Sequence, residues 1–90
     1  MSPNFKILTF YTNDMLHLEL IGDFDETSAI KLLNMLRKNS GGIDGICIHA
    51  NRLKRIYSYG RKMIRKNLSW INTIEPYVFI TGGNLGQTHN

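Results

Sequence analysis

Cysteine, proline and long apolar runs are what this sequence has least of. In 90 residues there is one cysteine, Cys47, and there are two prolines. A lone cysteine excludes an internal disulfide, and with it the small secreted scaffolds that depend on such staples. No apolar stretch approaches the roughly 18 residues a membrane-spanning helix needs, and no basic, apolar and small-residue succession marks a signal peptide. The expectation is a cytoplasmic protein with no transmembrane segment. Acid is missing from one stretch altogether. Arg52, Lys54, Arg55, Arg61, Lys62, Arg65 and Lys66 place seven of the eleven basic residues in fifteen positions with no Asp or Glu among them. The remainder holds four basic and seven acidic residues, so a net charge of +4 conceals a −3 region beside a strongly positive one. An electrically two-faced molecule follows.

A chain of 90 residues supports one domain, here taken as residues 1–90, with a small core packed in two layers. No repeat, low-complexity tract or linker interrupts it. Phe5 to Tyr11 has strand character, with Phe5, Ile7, Thr9 and Tyr11 on one face and Leu8 and Phe10 on the other. Thr12, Asn13 and Asp14 supply a turn. From Met15 to Ile21, Leu16, Leu18 and Leu20 alternate with His17 and Glu19, which predicts a strand with one buried and one wet face, paired with the first as a hairpin.

Helical spacing begins after a pair of acids. Ala29, Ile30, Leu32, Leu33 and Leu36 fall on one side of a helix that Asp25 or Thr27 can cap and that Asn39, Ser40, Gly41 and Gly42 end. Ile43 to Ala50 is a third strand. A second helix is predicted from Ser58 to Asn72, with Gly60, Met63, Ile64, Leu68, Trp70 and Ile71 inward, Arg61, Lys62, Arg65 and Lys66 outward, and Asn67 as an intruder on the apolar side. Tyr77 to Thr81 closes the series, Val78 and Ile80 facing one way and Tyr77 and Phe79 the other. The fold class is α/β in the order ββαβαβ. Right-handed crossovers then put both helices on one face of a mixed four-stranded sheet.

Two strand-to-helix turns carry the functional signal: Gly22-Asp23-Phe24-Asp25-Glu26-Thr27-Ser28-Ala29 and Ile56-Tyr57-Ser58-Tyr59-Gly60. Such turns lie at the carboxyl ends of strands, where open α/β sheets bind ligands and partners. The first resembles the Gly-x-hydrophobic-Asp-x-x-Ser-Ala turn of the STAS domain (sulfate transporter and anti-sigma factor antagonist). The second is similar to that family's Asp-Ser-Ser-Gly turn, with Leu53, Ile56, Ser58 and Gly60 keeping the pattern along a gapless match from Ile48. The resemblance spans roughly Met15 to Ile80 and implies the same ββαβαβ order. It departs from the family at two positions: Tyr57 stands at the family's Asp, and Tyr59 at the serine that accepts phosphate in anti-sigma factor antagonists. Members usually continue with another helix, so the resemblance implies a minimal or shortened member.

What the resemblance implies is non-catalytic regulation through protein contacts, with an anti-sigma factor or a serine kinase of the partner-switching type as the partner. The corresponding surface is Asp23, Asp25, Tyr57, Ser58, Tyr59, Arg61, Lys62 and Arg65. Each residue also has a plainer role. Asp23 and Asp25 can cap a helix and complement its dipole. Ser58 is either an N-cap or a phosphorylation site favoured by helix amides and nearby positive charge. Tyr57 and Tyr59 are contact residues or covers for a sheet edge. The basic run is a solvated helix face or the complement of an acidic surface, and its alternative use is binding of nucleic acid or another anion.

Catalysis has little support, and no enzyme activity is expected. His17, His49 and His89 lack sequence neighbours that suggest a Ser-His-Asp or Cys-His arrangement. Cys47 and His49 alternate on one strand face, two ligands where zinc needs three or four, so neither metal nor cofactor is expected. Gly82 to Gly86 lacks the Lys-Ser/Thr of a phosphate-binding loop.

Overall fold

Asn13 and Asp14 reverse the chain with φ of 50° and 68°, a left-handed conformation that short polar side chains tolerate. Thr12 and Met15 pair directly across this two-residue turn. The structure, a computed structural model, describes residues 4–39, 44–71, 73, 77–82 and 85. Its elements are β1 (Lys6–Thr12), β2 (Met15–Phe24), α1 (Glu26–Lys38), β3 (Gly45–Ile56), α2 (Ser58–Lys66), α3 (Leu68–Ile71) and β4 (Tyr77–Thr81). The four strands lie side by side in chain order, β1 antiparallel to β2, and β2, β3 and β4 mutually parallel. This is the mixed two-layer α/β sheet that the periodicities predict.

Two strands run further than expected. β2 continues past Ile21 to Phe24, and β3 continues past Ala50 through the basic segment to Ile56. The extra pairing is irregular. Glu19 faces His49 but Ile21 faces Arg52, and Gly22 faces Leu53 but Asp23 faces Arg55, so β3 carries one additional residue at each shift. Such bulges erase the two-residue alternation by which a strand is recognised. They also suit the charges: β4 pairs with β3 only from Gly45 to His49, and beyond that Arg52, Lys54 and Arg55 are exposed along a one-sided strand. Ile43 and the Ser40-Gly41-Gly42 stop lie outside the described residues.

The second helix is shorter than predicted. α2 ends at Lys66, where Asn67 Nδ2 donates to the Met63 carbonyl (2.8 Å) and the Asn67 amide to that of Ile64 (3.0 Å). An asparagine side chain competing for helix carbonyls closes the turn, and α3 restarts as a short separate segment. On α1 the apolar stripe is Ala29, Leu32, Leu33 and Leu36; Ile30, expected to share it, is 46% exposed. At about 100° from Ala29 around the helix it falls on the flank.

The core lies between the helices and one sheet face. Leu16, Leu18, Leu20, Phe24, Ile46, Ile48 and Ala50 from the sheet meet Ala29, Leu32, Leu33, Leu36, Ile64 and Ile71 from the helices, all buried. Val78 and Ile80 pack against this cluster half-buried, and Phe5 closes one end edge-on to Phe24 at 5.7 Å. The side chains of Leu68 and Tyr77 lie outside the described set. On the opposite face Leu8, Phe10 and Phe79 are 44–45% exposed, around half-buried His17, Cys47 and His49. Among the described residues no helix is long and apolar enough to cross a membrane.

Candidate functional site

Parallel pairing of β2 with β3 brings the two strand-to-helix turns together. Phe24 and Ile56 are partners at the strand ends, and the Tyr57 amide donates to the Phe24 carbonyl at 2.9 Å. Gly60, in the first turn of α2, packs directly on this junction. A Cβ there would stand 2.8 Å from the carbonyl oxygens of both Phe24 and Asp25, so the absent side chain is what allows the contact. Gly22, at φ +99°, does the same one step earlier, where a Cβ would fall 2.3 Å from the Asn4 carbonyl oxygen.

The first turn is internally satisfied. Asp25 is the N-cap of α1: its Oδ1 accepts from the Ser28 amide at 2.9 Å, and the Asp25 amide donates back to Ser28 Oγ at 3.2 Å, a reciprocal capping box. The Ser28 hydroxyl lies 3.0 Å from both the Asp23 carbonyl and Asp25 Oδ1 and shares its proton between them. Asp23 Oδ2 accepts from Asn4 Nδ2 at 3.3 Å. The capping role anticipated for Asp25 is therefore present.

At the second turn the arrangement differs. The N-cap of α2 is Tyr57, which makes no side-chain capping bond, and Ser58 is the first helical residue, not the cap. Both are exposed, as is Tyr59 at 70%. The family's aspartate would stand at a position suited to capping; a phenol reaches outward instead. The neighbouring Tyr57 hydroxyl, and after it Asp23, holds the Arg55 guanidinium pKa above its ordinary value. Lys62 Nζ sits 5.7 Å from the centroid of the Tyr59 ring. Arg61 is half-buried, and its buried Nε has no hydrogen-bond partner among the described residues.

The basic run is thus divided. Acids absent from its own stretch of sequence arrive from β2: Glu19 lies 3.6 Å from Arg52, and Asp23 faces Arg55. Beside the turns, α2 carries Arg61, Lys62, Arg65 and Lys66. All eight anticipated residues, Asp23, Asp25, Tyr57, Ser58, Tyr59, Arg61, Lys62 and Arg65, lie on the paired turns or on α2. Arg55 joins them, which the motif comparison did not single out; its place opposite Asp23 follows only from the shifted register.

A second constellation is new. The pair Cys47 and His49 becomes three, because β2 places His17 beside them, and one ligand atom from each lies within 4.8 Å of the others. His17 was legible as a wet-face residue of its strand. Its neighbours depended on which strand pairs with β2.

Similarity to known proteins is confined to three dimensions. No protein-family model matches the sequence, and no curated protein does. Among solved structures, Mglu in its native form in the presence of 4.3 M NaCl superposes with a TM-score of 0.73 at 14% identity, over 87% of this chain and 26% of that one. A second Mglu structure gives 0.71 at 21% identity, over 84% and 19%. An uncharacterized protein of the DUF3478 family from Shewanella loihica PV-4, described as having a SpoIIAA-like fold, gives 0.61 at 16% identity, over 92% and 69%. The fold is STAS-like. The chain spans between 19% and 27% of the Mglu chains it matches. At these identities the likeness concerns architecture, and the STAS-like domain's paired turns are described by its own residues.

Proposed function

We propose that this STAS-like domain is a non-catalytic, cytoplasmic regulatory module that binds a partner protein through its paired turns. The partner suggested is an anti-sigma factor or a serine kinase of the partner-switching type. The observation that carries this reading is the exposure of Tyr57 and Tyr59 on a turn whose neighbour is locked by its own capping box. Tyrosines on a rigid platform supply buried contact area at low entropic cost, and a rim of Arg61, Lys62 and Arg65 favours an acidic groove. Apolar anchors set the dissociation rate and rim charges mainly the association rate.

Binding kinetics against a partner-switching serine kinase encoded by the same organism test this. Tyr59→Ala is expected to raise the dissociation rate, and Lys62→Glu chiefly to slow association. The alternative, a nucleic-acid- or anion-binding domain using the α2 arc, gains from the positive charge, although Arg52 is shared with Glu19 on β2. It replaces the protein-binding reading if charge reversals abolish binding to kinase and plain duplex DNA alike, with a steep log-linear salt dependence, while Tyr59→Ala has no effect. The phosphate switch of the family is altered in this proposal. Incubation with the kinase and ATP is expected to leave the chain unmodified or to modify Ser58 only; efficient phosphorylation that survives Ser58→Ala, read by intact mass, contradicts the assignment of this turn.

A further inference from the structure

The sheet face away from the helices carries two neighbouring rows of side chains. Phe10, His17, Cys47 and Phe79 are successive partners across the four strands, and Leu8, Glu19, His49 and Thr81 form the next row. His17 Nδ1 and His49 Nε2 face each other at 2.9 Å, and a ligand atom from each histidine and the Cys47 sulfur lie within 4.8 Å of one another. We propose that His17, Cys47 and His49 form a transition-metal site for a borderline-soft ion of the zinc type.

The donor set is two imidazole nitrogens and one thiolate, a combination that suits zinc and disfavours magnesium or calcium. The surroundings resemble a prepared outer shell. Thr12 Oγ1 lies 2.6 Å from His17 Nε2, and Thr81 Oγ1 lies 3.3 Å from His49 Nδ1. Each ring's outer nitrogen therefore has a hydroxyl that can accept its N–H, which leaves the inner lone pair for a metal. Phe10 stacks on His17 with centroids 4.7 Å apart and planes 2° from parallel, and it steadies that ring. Bonds of about 2.0 Å to nitrogen and about 2.3 Å to sulfur at tetrahedral angles ask for roughly 3.3 Å between nitrogens and 3.6 Å between nitrogen and sulfur. Binding breaks the 2.9 Å hydrogen bond between the two rings, parts their nitrogens by a few tenths of an ångström, tilts the nearly parallel rings so that both lone pairs converge on the ion, and swings the sulfur inward from within 4.8 Å. Coordination sends the thiol proton to solvent and leaves each ring neutral with its single proton on the outer nitrogen. Glu19, the nearest acid in the adjoining row, is paired with Arg52 at 3.6 Å, so the fourth position goes to water or an external ligand.

Titration of the intact chain with Co²⁺ is expected to saturate at one equivalent. The spectrum should show the intense visible bands of a tetrahedral ion and a near-ultraviolet thiolate charge-transfer band, both bleached by Zn²⁺. Cys47→Ser should remove the charge-transfer band and weaken binding at least tenfold. His17→Gln and His49→Gln should weaken it comparably, and Thr12→Ala by about 10–100-fold, the usual effect of an outer-shell loss. His89→Gln should change nothing. Unchanged affinity in Cys47→Ser or His17→Gln, loss of binding in His89→Gln, or an octahedral spectrum without charge transfer overturns the site. If a variant does not fold, as judged by circular dichroism, the wild-type chain still decides. Saturating Zn²⁺ should slow alkylation of Cys47 by iodoacetamide at least tenfold, and an unchanged rate overturns the proposal.

Discussion

The two strand-to-helix turns lie side by side, yet they spend their polar groups in opposite ways. At the first, Asp25 and Ser28 satisfy each other and the start of α1 in a closed set of hydrogen bonds. At the second, Tyr57 occupies the N-cap without capping, and α2 begins with an exposed serine and tyrosine. A helix start leaves several amides without intrahelical acceptors, and a side-chain cap on one of them contributes about 0.5–2 kcal/mol. The first turn takes that stabilisation. The second forgoes it and leaves Tyr57 and Tyr59 exposed.

Five substitutions break or sharpen this contrast. The largest effect belongs to Gly22→Ala at the approach to the first turn. Its positive φ costs about 1–3 kcal/mol for a residue with a side chain, and the collision with the Asn4 carbonyl about as much again as overpacking, so chemical denaturation should register a loss of about 2–6 kcal/mol in total. Gly60→Ala acts on the contact between the turns. Alanine is the better helix former by about 1 kcal/mol, but its Cβ meets two backbone carbonyls that cannot rotate away, at about 1–3 kcal/mol, and a net loss of up to about 2 kcal/mol is expected. A gain in stability there means that the turns are not in contact.

Asp25→Ala and Ser58→Ala form a matched pair. The first should cost about 0.5–2 kcal/mol by removing a working cap, and the second should stay within about 0.5 kcal/mol of the parent because its hydroxyl is exposed at the first helical position. Equal losses in urea titrations would erase the difference between the turns. The one expected gain is the most pointed. Tyr57→Asp installs an acceptor at the uncapped N-cap and should raise stability by up to about 1 kcal/mol, offset in part by loss of the Arg55 contact. If it instead destabilises by more than that, Tyr57 holds the turn together and is not kept for its surface.

Much of the fold was legible because its signals are local. The alternation of Leu16, Leu18 and Leu20, the helical spacing of Ala29, Leu32, Leu33 and Leu36, and the acid before Ser28 each report an element through its own period or cap. Leu33, expected in the core, is 4% exposed. The errors fell where a non-local term intervenes. Asn51 to Ile56 has no two-residue alternation because two bulges break it, and Ile30 sits on a flank of α1 where burial depends on what packs beside it, leaving it 46% exposed. Asn67 stood out as an intruder, but its competition for the Met63 carbonyl, which ends α2, is a matter of geometry.

The candidate sites divide along the same line. Local chemistry marked the glycine-aspartate turn and the tyrosine turn as separate segments, and the choice of residues around each came from their sequence. Their meeting, the division of the basic run by Glu19 and Asp23, and the gathering of His17 with Cys47 and His49 were decided by the tertiary structure. The physical reason is register. A strand's own residues determine which side chains share a face, because the period of two is built into its backbone. Which residue of the next strand stands opposite is set by the packing of the whole sheet against its helices, and a shift of one residue moves every partner to the other side.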